Sequence, residues 1–456
     1  MSLLSILNTG AQGLQTAQLG TQVAGNNVSN VSTEGYVRRS THVQPGATIQ
    51  NQTAGRRVVD QFVEKRLLGA HSSAGEAAAN HTALVGLDNA LAESEHGLGS
   101  ALDAFHASMQ DLAAQPSEEA YRAAALAKAS ELAHAFQNTA QSFDDARTDA
   151  NSRVAQEVKA VNSRLVQIGD LNKRISKAEV DGSEASDLRD QRDTMVREVA
   201  DRVPVSVIEG DNSGGISLLL NGGQALITPE GQVNQLALTY ASNGDVSVTK
   251  AASGVTVDVT DTLTSGSIGG YLRARDGGIA DARQSLDQLA YDIAANYNDL
   301  HTAGLGLDGV GGRNLFDPIG AVDGAASAFD VSNDVAGHSD RLATAQAADQ
   351  LPSDNRNALA MASLASAPIA LGGMTVVEAL ASLTSSVGFA VQSAAHSESF
   401  ANDAMTQIQS LHDNVSSVSS DEEMVHMMAY QRSYQASLKV VQTADEMLGE
   451  LMNLRS

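Results

Sequence analysis

The 456-residue chain has no cysteine and no tryptophan, and only 4% of its residues are aromatic. Without thiols there can be no disulfide, no thiolate metal site and no cysteine nucleophile. Their absence suits a protein that leaves the cell without oxidative folding. With so few rings, any core has to be built from Leu, Val and Ala. No stretch approaches the roughly 18 consecutive apolar residues of a membrane span. The first residues lack the basic segment and continuous apolar run of a cleaved signal peptide, so secretion would need another route. Positive charge is also scarce: 29 Lys and Arg stand against 54 Asp and Glu, a net charge of −25. Phosphate binding needs a concentrated basic face, so neither nucleic acid nor an anionic membrane is an expected partner.

A local absence is more informative. Residues 1–33 contain no Asp, Glu, Lys, Arg or His, and the first charge, Glu34, falls inside the turn-like stretch NNVSNVSTEGY at 26–36. Leu7, Gly10, Leu14, Ala17, Thr21, Ala24, Val28 and Val31 recur at 3,4 spacing, which predicts a helical seam of alternating large and small residues. Gly10, Gly13, Gly20 and Gly25 each cost about 1 kcal/mol relative to Ala inside a helix. Such a helix needs a neighbour. A second 3,4 seam lies at the far end: Met424, Met427, Gln431, Tyr434, Leu438, Val441, Asp445, Leu448 and Met452. The acidic Asp421-Glu422-Glu423 before it suits a helix N-terminus. The two terminal helices are therefore expected to pack together, within one chain or between copies.

Between them, Ser117-Glu118-Glu119 after Pro116 reads as a helix start, leading into a stripe of Tyr121, Ala125, Lys128, Leu132 and Phe136. Val154, Val158, Val161, Leu165, Ile168, Leu171 and Ile175 mark a long amphipathic helix, and another carries DLRDQRD (187–193) to about Ala200. The period then falls to two at Val203, Val205 and Val207, and again at Ile216, Leu218 and Leu220. Turn signals lie at 211–215, 221–223, 229–231 and 242–245, so a small antiparallel β region ending near Tyr271 is expected. Helical pattern returns over Ala282–His301 and from about Asn355. The predicted fold is mainly α with a β insertion, in nested parts. Residues 1–60 with 412–456 form a coiled-coil-like terminal part, 61–202 with 276–411 a helical-bundle middle, and 203–275 a small β domain.

No reaction site emerges. GLGLDG (304–309) matches G-x-G-x-x-G, but it follows a helix and runs into more loop, whereas a dinucleotide site needs a strand before it and a helix after it. There is no Walker lysine, no H-E-x-x-H and no G-x-S-x-G. Glu93-Ser94-Glu95-His96 cannot turn all its side chains to one ion on a helix and reads as a solvated turn. The paired carboxylates Asp144-Asp145 and Asp421-Glu422-Glu423 read as helix-start charges compensating the dipole. No catalytic residue, metal or cofactor is expected.

NNVSNVSTEGYVR resembles the N-terminal motif of bacterial flagellar axial proteins, through Asn26, Asn27, Asn30, Gly35 and Tyr36, with Glu34 where that group commonly has Pro. DEEMVHMMAYQRSYQASLKVVQTADEMLGELMNL (421–454) is similar to their terminal helix. SDLRDQRDTMVREVADRVPVSV (186–207), SGSIGGYLRARDGGIADARQSLDQLAYDIAANYNDLHTAGLGLDGVGGRNLF (265–316) and SDNRNALAMASL (353–364) resemble, in order, blocks of the hook-associated FlgK family. The serine turn 416–420 departs from that pattern, and the compact β region suggests that an outer domain of larger members is missing. The resemblance implies a structural adaptor at the hook–filament junction, extracellular, exported unfolded through the flagellar type III channel. Its implied partners are copies of itself in a ring or short helical segment, hook protein on one side, a second hook-associated protein on the other, and an export chaperone on the C-terminal helix. The residues expected to carry assembly are Leu7, Leu14, Ala17, Val28 and Val31, facing Leu438, Val441, Leu448 and Met452. The alternatives are another axial subunit of hook, rod or filament type, and an enzyme or adhesin displayed by the β region.

Overall fold

The computed structural model describes residues 3–41, 55–91, 97–180, 184–210, 214–252 and 255–453. Helix α1 (Leu3–Ser29) opens the chain, and a two-residue ladder pairs β1 (Arg39–Ser40) with β2 (Arg56–Arg57). Then come α2 (Gln61–Leu91), α3 (Leu98–Ala114), α4 (Glu119–Ala178) and α5 (Ser186–Ala200). Six short strands follow: β3 (Val205–Glu209), β4 (Ile216–Leu220), β5 (Ala225–Ile227), β6 (Leu236–Tyr240), β7 (Val246–Ala252) and β8 (Val255–Asp258). They form two antiparallel three-stranded sheets, β3-β4-β5 and β6-β7-β8. The chain returns to helix in α6 (Gly266–Ala274), α7 (Ala280–Ala303), the short α8 (Ala325–Ala328), α9 (Arg356–Ser363), α10 (Val376–Ser416) and α11 (Ser420–Asn453). The fold is thus mainly α with a small antiparallel β part, as the change of period predicts.

The two amphipathic stretches expected over 117–136 and 154–175 are one uninterrupted helix. At 60 residues, α4 is about 90 Å long. Its first half supplies Ala125, Leu132, Phe136 and Phe143 to a core shared with α3, α7, α9 and α10. Its second half supplies Val154, Val158, Val161, Leu165 and Ile168 to a second core, made with Val196 and Val199 of α5 and with Ile216, Leu218 and Leu220 of β4. The alternation Ile216/Leu218/Leu220 is buried on one face, as period-two spacing requires. The sheets therefore rest on the same helix that threads the helical core.

Three local expectations are corrected. The start of the α4 stripe shifts by one residue: Tyr121 is exposed and Arg122 is fully buried instead, its guanidinium donating to the carbonyls of Pro116 (2.6 Å), Ser339 (3.1 Å) and Leu342 (2.7 Å) and to Thr344. Burial pulls this arginine's pKa down to about 10. Asp144-Asp145 stands mid-helix rather than at a start, where Asp144 meets Arg283 at 3.2 Å and Asp145 accepts from Gln141 at 2.8 Å. The last strand ends at Asp258, and Tyr271 already lies in α6. There the Gly269-Gly270 pair admits a helix crossing: a Cβ on Gly270 would lie within van der Waals overlap of the Glu76 carbonyl of α2. The segment 304–309 is a turn, bridged by Leu305 to Gly311 and Ala345. Glu93–His96 lies outside the described residues.

Candidate assembly interface and its joint to the body

The terminal helices α1 and α11 pack against each other along their length. Their facing pairs show the direction. A Cβ added to Gly10 would come 2.7 Å from Val441, and one added to Gly20 would come 2.5 Å from the Tyr430 ring, while Asn27 reaches Glu423. Residue number falls on one helix as it rises on the other, so the pair is antiparallel. The glycines that look like defects in an isolated helix are the points where α11 comes closest.

Gly10, Ala17, Gly20, Val23, Ala24 and Asn27 are the buried residues of α1. Of the residues expected in the seam, Ala17 is 1% exposed, and Leu7, Leu14 and Val28 are half-buried. Val31 is 45% exposed, because α1 ends at Ser29 and the chain turns away. On α11 the inward positions are Glu423, Met427, Tyr430, Ser437, Val441, Ala444 and Leu448. Val441 and Leu448 are therefore inward and half-buried, whereas Leu438 is 39% exposed on the adjoining flank. The Met452 side chain lies outside the described residues. The inner face is offset from the expected stripe because register is decided by glycine contact and by the Asn27–Glu423 bond, not by the largest apolar side chains.

The arm joins the body through polar contacts. Asn27 is fully buried and uses its whole side chain: Nδ2 donates to the Arg39 carbonyl (2.9 Å) and to Glu423 (3.1 Å), while Oδ1 accepts from the Tyr36 hydroxyl (2.9 Å) and the Arg39 N–H (3.1 Å). Asn30 donates to the Asn26 carbonyl at 2.9 Å and accepts from Thr33, closing the turn. Gly35 sits at φ +75°, the left-handed region that glycine adopts at least cost, with Thr194 filling the place a Cβ would take. The Tyr36 ring lies under the Arg39 guanidinium, 4.8 Å from its centroid, and burial raises the phenol pKa.

Three arginines then tie arm to body. Arg38 donates to Glu423 at 2.8 Å, and its backbone N–H reaches the Ser416 carbonyl, also at 2.8 Å. Arg39 pairs with Asp187, and Arg57 bridges Asp190 (2.7 Å) and Asp193 (2.5 Å). The acidic side chains of DLRDQRD on α5 are thus the receptors for the β1–β2 ladder. Burial raises the Asp190 carboxyl, and Arg57, the Val37 N–H and Arg39 pull it back. Close by, Glu64 of α2 takes a two-pronged contact from Arg197 of α5 and meets His412 of α10 at 3.3 Å. The bond to Glu64 raises the His412 pKa. Among the described residues no group of three His, Cys, Asp or Glu side chains is arranged to hold a metal ion.

Sequence reading missed Glu423. A DEE triplet before a helix is ordinary dipole compensation, yet Glu423 is 3% exposed and receives Asn27 and Arg38 from a segment some 390 positions away. Nothing local distinguishes it from Glu422. Arg38, Arg39 and Arg57 likewise carry no local signal of their role, although the first two adjoin the asparagine motif.

Comparison with known proteins places these features. Residues 84–316 match the family model described as the flagellar hook-associated protein FlgK helical domain. Residues 412–454 match the model for the C-terminal region of flagellar basal body rod FlgEFG proteins. The chain is 26% identical to flagellar hook-associated protein 1 of Bacillus subtilis, over 98% of this chain and 97% of that one. It is 26% identical to the Escherichia coli protein of the same name, over 99% and 100% respectively. Its fold is similar to the solved structure of the flagellar hook junction protein FlgK from Burkholderia pseudomallei, with a TM-score of 0.69 at 17% identity, over 78% of this chain and all of that one.

Proposed function

Because the chain belongs to the FlgK family of flagellar hook-associated proteins, we propose that it is a structural adaptor at the hook–filament junction, built into the flagellum through its α1–α11 arm. It is exported through the flagellar type III channel and assembles outside the cell with copies of itself. Hook protein lies on one side and a second hook-associated protein on the other. Residues 1–60 with 412–456 form the assembling part, 61–202 with 276–411 the helical middle, and 203–275 the β part.

The observation that carries this reading is the arm itself. Helix α1 contains no charged residue. It meets α11 on one side only, and Met424, Met428, Leu438, Val440 and Met447 of α11 stay exposed. An uncharged α1 beside exposed apolar side chains of α11 supports packing among like arms, since α1 brings no unpaired ion to be buried when they meet. The same exposed methionines supply an amphipathic face that suits an export chaperone before assembly.

Leu14→Asp tests the reading. The variant is expected to keep the helical and β content of the body and to disappear from purified flagella, with filaments no longer joined to hooks. Wild-type incorporation of Leu14→Asp would sink it.

A further inference from the structure

Aromatic side chains are scarce in this chain, and they are unevenly placed. Of its eight phenylalanines, Phe105, Phe136, Phe143, Phe316 and Phe329 are fully buried. The other three, Phe62, Phe389 and Phe400, are 68%, 72% and 76% exposed, and all three stand on the α2–α10 pair. The pair is antiparallel, since Glu64 meets His412 and His81 meets Glu398. The two helices line a trough of about 720 Å³, to which α6 adds Arg273. Its small side chains are Ser73 and Ala77 on α2 and Ser393, Ser397 and Ala401 on α10. Phe389 and Phe400 line it eleven residues apart, three turns along one side of α10 and roughly 16 Å. Large exposed rings beside small residues make an anchor site rather than an ordinary solvated face.

We infer that this trough seats an amphipathic α-helix of a protein other than this chain, and that the helix brings a carboxylate to Arg273. The inference rests on the assembly reading above and names the face that meets an unlike neighbour. The walls favour a helix. They are themselves helices with their backbone groups already bonded, so an extended segment would bury N–H and C=O groups without partners, whereas a helix satisfies its own. The spacing of the rings suits three turns, and the small residues let a helix axis come close. Charge selects the head group. Glu76 is the one carboxylate among the residues lining the trough; it is 17% exposed and already paired with Arg273. Arg273 itself is 57% exposed, and His396 lines the same trough. An incoming carboxylate therefore meets basic groups with no unpaired acid opposing it. Over residues 379–397, α10 has no Asp, Glu, Lys or Arg, so a chain of net charge −25 repels such a partner least here. A second copy fits less well. A trough that met its own counterpart would do so about a two-fold axis, which closes a pair and does not propagate around a ring. The other exposed apolar side chains of the helical body, Val85, Tyr121, Val166, Leu359, Leu371 and Val377, are scattered over α2, α4, α9 and the start of α10 and its approach, and form no single ridge to fill it.

Purified flagella supply the test. With p-benzoylphenylalanine in place of Phe389, irradiation should join this chain to another flagellar protein, and the linked peptide should be an amphipathic helical segment bearing Asp or Glu. Ser393→Glu sets a negative charge in the trough between the two rings, and Phe400→Ser removes one anchor. Asn402→Glu sets the same charge at an exposed position of α10 outside the trough. All three are expected to leave the helical signal and melting of the isolated chain unchanged. Ser393→Glu and Phe400→Ser should each lower the adduct about tenfold, the first by repelling the incoming carboxylate and the second by removing its apolar seat. Asn402→Glu should give the adduct in full. The inference is overturned by an adduct only between copies of this chain, by no adduct in flagella that contain the chain, or by an adduct that Ser393→Glu spares or Asn402→Glu lowers equally. Lowered melting with Phe400→Ser would place that ring in the fold and overturns it too. If the unsubstituted chain is missing from flagella, the assembly reading fails, and the inference falls with it.

Discussion

Asn27 shows what one side chain can decide. It lies in the last turn of α1, and its amide supplies two donors and two acceptors that stitch α1, the turn at Tyr36, the Arg39 backbone and Glu423 of α11 into one node. Only a carboxamide has that inventory at that size. Asn27→Asp keeps the shape and removes both donors, and it sets a second carboxylate against a Glu423 that is already buried. We expect about 2–4 kcal/mol of lost arm stability at neutral pH, because a buried donor–acceptor pair becomes a like-charge contact. Two carboxylates forced together take up a proton more readily than either alone, so acidification lets one of them donate to the other. The variant should therefore recover part of its stability in acid, relative to the wild type. Amide exchange across α1 at two pH values measures it. A loss that is the same at both pH values rules out the charge argument.

At the scale of the element, the same glycine chemistry takes opposite signs along α1. Replacing a helix-interior Gly by Ala ordinarily stabilises by about 0.5–1 kcal/mol. Gly25 has nothing within 4 Å of the position of a Cβ, so Gly25→Ala should gain that amount. At Gly20 the added carbon would press on the Tyr430 ring, which is held by a 3.0 Å bond between its hydroxyl and Thr41 and cannot swing away freely. Gly20→Ala should destabilise the arm by about 1–3 kcal/mol, as overpacking does. Urea unfolding followed through α1 separates the pair, and equal stabilisation by both would mean the helices are not in close contact at Gly20. These two residues also mark the limit of sequence reading. The terminal helices, the stripes of α4, the period-two strands and the pairing of the chain ends follow from spacing, because burial on one face imposes a period; α2 and α3 carry no stripe that announces them. The offset of α11, with Glu423 inward and Leu438 outward, does not follow. It depends on which glycine meets which side chain of a helix more than 400 positions away. The joint was half legible: its asparagines stand out, while its acids and arginines look like any solvated pairs until the β1–β2 ladder sets them against α5.

Across the whole molecule, two buried histidines at different places in the body respond to pH in opposite directions. His301, in the core served by the first half of α4, is fully buried and donates from Nδ1 to the Arg313 carbonyl (2.8 Å) while Nε2 accepts from the Ala343 N–H (3.0 Å). That arrangement needs the neutral ring, and burial lowers its pKa. His412, at the joint, faces Glu64 of α2 and Arg197 of α5, with Asp413 beside it on α10. Its bonds to the two carboxylates outweigh burial and the nearby guanidinium, so its pKa is raised. For a depressed histidine the stabilisation is present above the ordinary value near 6.5 and is lost as pH falls through the folded pKa; for a raised one it is present below 6.5 and is lost as pH rises through the folded pKa. Acidification below about 6.5 should therefore loosen the loops around His301, and alkalinisation above it should loosen the joint between α2, α5 and α10. Amide exchange, corrected for its intrinsic pH dependence, should show protection at residues 61–68 and 408–416 falling as pH rises from about 6 to 8, with no such fall around 313 and 343. His412→Gln should abolish the change at the joint alone. If protection at the joint stays constant over that range in the wild type, the His412–Glu64 contact does not hold α10 to α2.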